Sequence, residues 1–102
     1  MKIFVAIANP ETANEMHKLF LKHGVNAFHE TQTRSFNLPG NPEHRIDNWF
    51  SYSKIPVNSV VYFVLVTPGQ ASALLVEIKK ENAQKGETDS IRAFVLDVEQ
   101  FV

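Results

Sequence analysis

The sequence predicts one α+β domain whose elements follow the order strand, helix, strand, strand, helix, strand. Three observations predict this class. The chain has 102 residues, which is room for a single domain. Residues 3–8 and 60–66 are apolar runs with the length of buried strands. Each run is followed by a polar residue and a proline, Asn9-Pro10 and Thr67-Pro68, and this pair is typical of a helix start.

The first helix is predicted to begin at Asn9-Pro10, because proline has no N–H to lose in the first helical turn. Thr12 with Glu15 offers a competing capping box. Gly24 ends the helix, since glycine accepts the left-handed conformation of a helix end. Apolar residues recur at helical spacing along one face between these limits: Ala13, Met16, Leu19 and Phe20.

Residues 25–36 alternate only partially between apolar and polar side chains, which indicates an edge strand. Over residues 37–59 the pattern changes to turn formers followed by polar, aromatic and charged residues. Loops of this length are uncommon inside a compact domain and are usually functional or disordered. The sequence therefore predicts a long loop between the second and third strands.

Residues 60–66 form the strongest predicted strand, and the lack of alternation indicates that both of its faces are covered. The second helix follows Thr67-Pro68 and is predicted to end at Gly86. Residues 91–98 form the last strand. The apolar face of the second helix has the spacing i, i+3, i+4 and i+7: Ala71, Leu74, Leu75 and Ile78.

This order predicts a ferredoxin-like βαββαβ sandwich, a four-stranded antiparallel sheet with both helices on one face. Right-handed crossovers place the first and third strands at the centre of the sheet. The opposite face then carries alternate apolar residues of the third strand, either the set that contains Tyr62 or the set that contains Phe63, depending on register. An uncovered apolar face predicts self-association.

Composition excludes several classes of function. A net charge of −1 gives no electrostatic footprint for nucleic acid. The absence of cysteine removes disulfides, thiolate metal sites and thiol catalysis. No nucleophile elbow or paired base is present, so we expect a non-enzymatic protein. With no apolar run of about 18 residues and no signal-peptide pattern, we expect a cytoplasmic protein.

Residues 31–37, Thr-Gln-Thr-Arg-Ser-Phe-Asn, and residues 93–99 resemble two stretches of the PII signalling proteins, which are trimers. Residues 31–37 resemble the end of the second PII strand, where Arg-Gly-Phe-Gly opens the T-loop; Arg34 and Phe36 match, while Ser35 and Asn37 replace both glycines. Residues 93–99, Ala-Phe-Val-Leu-Asp-Val-Glu, resemble the last PII strand, Ile-Phe-Val-Leu-Pro-Val-Glu. In element order the resemblance covers nearly the whole chain. It implies one PII-like domain over residues 1–102, with a T-loop-like segment at 37–59.

The resemblance also implies a small-ligand site between subunits. PII proteins bind ATP or ADP partly through a Gly-Asp-Gly-Lys loop, and in the corresponding residues 85–92 only Gly86, Asp89 and Arg92 resemble it. Glu87 adds negative charge where phosphate would bind, so we expect weak or absent ATP binding and an anionic ligand of unknown identity. The ligand-binding residues implied by the resemblance are Arg34, Phe36, Lys85, Gly86, Asp89 and Arg92. For Arg34, a surface role paired with Glu30 or Glu43 is the alternative.

The loop carries an unusual aromatic cluster. Trp49, Phe50 and Tyr52, together with His44, are candidates for contact with a partner, since aromatic side chains supply contact area at low entropic cost. The alternative is a lid packed on the domain or a seam between subunits. The partner implied by the resemblance is a membrane transporter or an enzyme regulated through the loop.

A metal-binding or metal-tolerance protein of the same fold is the second functional hypothesis. CutA proteins, which share the trimeric sandwich, are linked to metal tolerance, although no motif here matches theirs. His29, Glu43 and His44 could hold a divalent ion if the loop folds back. His17 and His23 are six residues apart on the first helix, and we interpret them as solvated or packed. The assembly expected is a homotrimer; a dimer through sheet edges and a monomer covered by its own Trp49-Phe50 loop are the rivals.

Overall fold

The computed structural model describes residues 1–37, 53–86 and 90–102. In these ranges the chain forms a four-stranded antiparallel sheet and two α-helices, the α+β class that the sequence predicts. The elements are β1 (Lys2–Ala8), a 3-10 turn (Pro10–Thr12), α1 (Ala13–Lys22), β2 (His29–Asn37), β3 (Ser53–Val66), α2 (Pro68–Ala83) and β4 (Arg92–Asp97). Neither helix among these described residues has the length and apolar content that a membrane crossing requires.

The strand order is β2-β3-β1-β4, and each neighbouring pair is antiparallel. The prediction that the first and third strands occupy the centre is confirmed. Even-numbered residues of the central strands face the helices, so Phe4 lies beside Val64 and Ala6 beside Tyr62. These side chains form one core with the buried residues of both helices: Met16, Leu19 and Phe20 of α1, and Ala71, Leu74 and Ile78 of α2.

Helix α1 ends as predicted and begins later than predicted. Gly24 has φ +77°, and Gly24 N–H and Val25 N–H donate to the carbonyls of Leu21 and Phe20, which is a Schellman motif. The expected Thr12 capping box is wrong, because the Thr12 hydroxyl donates to the Asn9 carbonyl at 2.8 Å. A 3-10 turn takes the place of the first predicted helical residues.

Strand β2 begins at His29, later than the residue 25 we predicted. Val25 is buried in the core, and its amide donates to Phe20 at 2.8 Å, so it cannot join the ladder of the sheet. Strand β3 begins at Ser53, earlier than predicted, so residues 53–59 of the expected loop are strand. The pairing slips between Ser35 and Asn37, close to Pro56, which cannot donate to the ladder.

Helix α2 begins with the predicted cap. The Thr67 hydroxyl accepts from Gln70 N–H at 3.1 Å, and the Gln70 side chain accepts from Thr67 N–H at 3.0 Å. The helix ends at Ala83, so the prediction that it ends at Gly86 is wrong. Just before that end, the Asn82 side chain donates to the Ile91 carbonyl and accepts from the Ile91 N–H, each at 2.8 Å. Asn82 therefore fixes the residue that leads into β4.

Candidate functional site

The two arginines predicted to bind a ligand lie at the same end of the sheet. Arg92 begins β4 and pairs with Ile7, one residue before β1 ends. Val60 of β3 pairs with Ala8, the last residue of β1. Arg34 pairs with Asn58, which precedes Val60 by two residues and so lies just past the same end of β1. Since β2 and β4 are the opposite edges, three strand spacings of about 4.8 Å separate the two arginines across the sheet. One subunit therefore does not bring them onto one small ligand.

Arg34 lies where β2 and β3 continue past the end of β1 as a two-stranded ribbon. Its guanidinium carbon is 5.5 Å from the centre of the Phe36 ring, and both side chains are exposed. A bond of 2.9 Å between the hydroxyls of Ser35 and Ser59 crosses the same ribbon. The stacking holds the planar guanidinium, which suits carboxylate and phosphate, at the surface of the ribbon.

Lys85 follows the end of α2 and is engaged by carboxylates. Its ammonium is 2.9 Å from the carboxylate of Glu15 and 3.8 Å from that of Glu81. These contacts tie the end of α2 to the first turn of α1, so a ligand at Lys85 would compete with two carboxylates. At Gly86 a Cβ would meet open space, so its immediate surroundings do not require glycine.

Several predicted site residues fall outside the described part of the chain. Asp89 lies within residues 87–89, and the loop residues Glu43, His44, Trp49, Phe50 and Tyr52 lie within residues 38–52. Of the proposed metal ligands, only His29 is described. Across the described ranges no three His, Asp or Glu side chains are grouped as a metal ion would need.

Sequence reasoning missed a polar cluster on the helix-covered face. His17 Nε2 is 2.8 Å from the Glu30 carboxylate, and the His17 ring lies 5.0 Å from the Phe28 ring. The buried Tyr62 hydroxyl lies close to Glu30 without a well-formed hydrogen bond. The hydrogen bond with His17, and after it the nearby Tyr62 hydroxyl, lowers the pKa of Glu30, while burial and then Glu30 raise the pKa of Tyr62. The tyrosine inside an otherwise apolar strand was the available signal.

The contact between His17 and Glu30 joins α1 to β2, and it bears on the roles expected for Arg34 and His17. Glu30 pairs with His17 and not with Arg34, so the surface pairing considered for Arg34 is not made with Glu30. The interpretation of His17 as a packed helix histidine is consistent with its two aromatic neighbours, Phe28 and Tyr62. His23 lies at the end of the same helix, 3.6 Å from the carboxylate of Glu77.

On the face of the sheet opposite the helices, strands β3, β1 and β4 carry apolar side chains, except for Arg92 at the start of β4. We call this face the open face. Its cross-strand rows are Leu65, Ile3 and Leu96; Phe63, Val5 and Phe94; and Val61, Ile7 and Arg92. Strand β2 borders the rows with His29 and Thr31. Phe63, Leu65 and Leu96 are 47%, 58% and 52% exposed, so this face presents large apolar side chains to water.

Register decides which alternate set of β3 lies on the open face. The sequence left two sets possible, and the structure places Val61, Phe63 and Leu65 there. Tyr62, Val64 and Val66 are buried against the helices. The expectation that one face of this strand packs on both helices is confirmed.

In comparisons with models of known protein families and with curated proteins, the chain matches none.

Proposed function

We propose that the protein is a non-enzymatic, PII-like regulatory protein of the cytoplasm. In this proposal its domain is ferredoxin-like and assembles as a homotrimer. It binds a small anion between subunits and presents the 37–59 segment to a regulated partner. Support for the fold assignment comes from the element order and from the strand order, which reads β4-β1-β3-β2 from the other edge.

The open face is the observation that carries the proposal. Both helices pack on the other side of the sheet, yet Phe63, Leu65 and Leu96 are each about half exposed on this one. Burying about 400 Å² of such a face per subunit contributes on the order of 10 kcal/mol before association costs are subtracted. A second and third copy of the chain would supply apolar cover of the same kind, and three-fold closure leaves no copy uncovered.

The positions of the two arginines support a site between subunits. Arg34 and Arg92 lie at one end of the sheet but on opposite edges, so a ring brings the β4 edge of one subunit towards the β2 edge of the next. The register places Arg92 on the open face and Arg34 on the opposite face, so the two guanidinium groups from different subunits would reach one cleft from opposite faces of their sheets. Guanidinium binds carboxylate and phosphate through paired hydrogen bonds, which favours a small anionic ligand.

A thermal-shift panel tests the ligand class. The probes are ATP, ADP, inorganic phosphate, bicarbonate and di- and tricarboxylates at neutral pH. A probe present at about 100 times its dissociation constant adds about 2.7 kcal/mol to stability, which is readily detected. We expect at least one small anion to stabilise the protein, and we expect ATP to have little effect. If no anion in the panel raises the melting temperature, the proposed ligand class is wrong.

Charge-neutral variants locate the site. Arg34→Gln and Arg92→Gln should each weaken binding of the active probe by about tenfold to a hundredfold, the effect of losing a hydrogen bond to a charged group. Lys18→Gln, an exposed residue of α1, removes the same charge away from both sheet edges and should leave binding unchanged. Equal effects of all three substitutions would indicate net charge and not a site.

Mixing the two arginine variants tests whether the cleft lies between subunits. A trimer refolded from equal amounts of Arg34→Gln and Arg92→Gln chains contains about one cleft in four with both arginines intact, because each cleft takes one arginine from each neighbour. Calorimetry should therefore recover a fraction of the tight sites. A site built within one subunit would recover none, because every chain lacks one arginine.

A further inference from the structure

Arg34 has an aromatic neighbour and no carboxylate neighbour among the described residues. Its guanidinium carbon lies 5.5 Å from the centre of the Phe36 ring, and the side chain is exposed. Glu30, the carboxylate that shares its strand and its face, contacts His17 instead. None of the ion pairs within residues 1–37, 53–86 and 90–102 includes Arg34. Within these ranges the subunit therefore leaves the charge of Arg34 for an anion that comes from outside it.

One subunit cannot place both predicted ligand arginines on a small anion. Arg34 and Arg92 lie on opposite edges of the sheet, three strand spacings or about 14 Å apart. They also lie on opposite faces, since Arg34 pairs with Asn58 on the helix-covered side and Arg92 pairs with Ile7 on the open face. A guanidinium contacts an oxygen at about 3 Å. A separated subunit therefore offers a small anion one arginine, whereas the proposed cleft offers two.

We infer that the anion holds the proposed trimer together, so that its concentration sets how fast the subunits exchange; this inference rests on the proposed function, because it needs a cleft that two copies share. A ligand that binds one state of an equilibrium more tightly stabilises that state by mass action. The anion meets both arginines only in the ring, so it stabilises the ring over the separated subunits. The coupling is reciprocal, and assembly therefore tightens anion binding by the same factor.

Three-fold symmetry strengthens this coupling. In a closed ring each subunit takes part in two clefts, so a subunit that leaves must break both of them. An anion at about 100 times its dissociation constant makes each occupied cleft on the order of a hundredfold harder to open. Two occupied clefts then slow the departure of a subunit by up to about ten-thousandfold. The lifetime of the trimer would in this way report the anion concentration.

Subunit exchange, followed by energy transfer between donor-labelled and acceptor-labelled batches of the protein, tests this inference. The chain contains no cysteine, so Ser72→Cys, at an exposed position of α2 on the helix-covered side, gives a single labelling site. The batches are mixed at micromolar concentration in inorganic phosphate, in citrate and in sodium chloride of equal ionic strength. We expect phosphate or citrate to slow exchange by tenfold or more relative to chloride.

Two variants assign the slowing to the cleft. Arg34→Gln should stay a trimer and should exchange at the same rate in all three salts. Lys18→Gln, which removes the same charge from an exposed position of α1, should keep the wild-type slowing. Val61→Ala, which reduces the apolar contact of the open face, supplies the same comparison where the wild type exchanges too slowly to follow. Calorimetry on each sample reports whether the anion binds.

The outcomes separate a failure of this inference from a failure of the proposed function. If the anion binds the trimer and exchange is no slower than in chloride, each copy holds its anion alone; the inference is then wrong, while the trimer and the ligand class stand. Slowing that persists in Arg34→Gln assigns the effect to another site and also overturns the inference. A monomer in every salt, or a trimer that binds neither anion nor any other in the thermal-shift panel, refutes the proposed function, and the inference falls with it.

Discussion

Replacing Asn82 with alanine should destabilise the protein by about 1–2 kcal/mol. The Asn82 side chain makes two hydrogen bonds of 2.8 Å, one to each backbone group of Ile91, which is 2% exposed. Each such bond contributes about 0.5–1.5 kcal/mol, and alanine returns up to about 0.7 kcal/mol through its higher helix propensity. Because Ile91 leads directly into β4, the substitution should also loosen Arg92 and weaken anion binding.

Urea unfolding followed by circular dichroism, at one fixed protein concentration, measures this loss. Asn14→Ala is the matched control, since it makes the same change at an exposed position of α1 and should be neutral or slightly stabilising. Asn82→Asp keeps an acceptor for the Ile91 N–H but loses the donor to its carbonyl, so it should also destabilise. If Asn82→Ala and Asn14→Ala unfold at the same urea concentration, the two hydrogen bonds contribute no net stability.

Three further predictions concern assembly, acid stability and the helix end. Phe63→Ser should abolish the trimer while the subunit stays folded, whereas Val76→Ser, which changes a similarly exposed apolar residue of α2, should not; equal masses by light scattering would contradict this. Hydrogen bonds hold the pKa of Glu30 below its usual value, so its contribution is complete above about pH 4.3 and is lost as the pH falls through the lower folded-state pKa. Melting curves of Glu30→Gln should consequently show a weaker loss of stability in acid than the wild type. An equal loss of stability in acid would show that protonation of Glu30 is not its cause. Gly24→Ala should cost about 1–2 kcal/mol in urea unfolding because φ is +77° there, while Gly86→Ala should cost almost nothing; similar costs would show that backbone strain is not the cause.

Local pattern was sufficient to predict the class of the fold. Apolar runs located the central strands, and the Thr67 cap located the start of α2, because both depend on neighbouring residues in sequence. The boundaries that failed depend on distant partners. Strand β3 reaches back to Ser53 because β2 pairs with it there, and Val25 leaves the strand because its amide completes the end of α1. Neither pairing is encoded in the local alternation of side chains.

The candidate site was predictable only in part. The resemblance to PII proteins singled out Arg34 and Arg92, but their placement at one end of the sheet follows from strand register. The lack of alternation in residues 60–66 left open which side chains of β3 would be exposed, and pairing with β1 decides this. The contact between His17 and Glu30 joins a helix to an edge strand, and no spacing rule connects residues on such different elements.

The mass of the wild-type protein in solution tests the central claim most directly. Sedimentation velocity at pH 8.0, over micromolar concentrations, should give one species of three times the chain mass, because in the proposed trimer other copies cover the open face. A single species with the mass of one chain would contradict the account: the exposed Phe63, Leu65 and Leu96 would then be compatible with a stable monomer, and no cleft would exist between subunits.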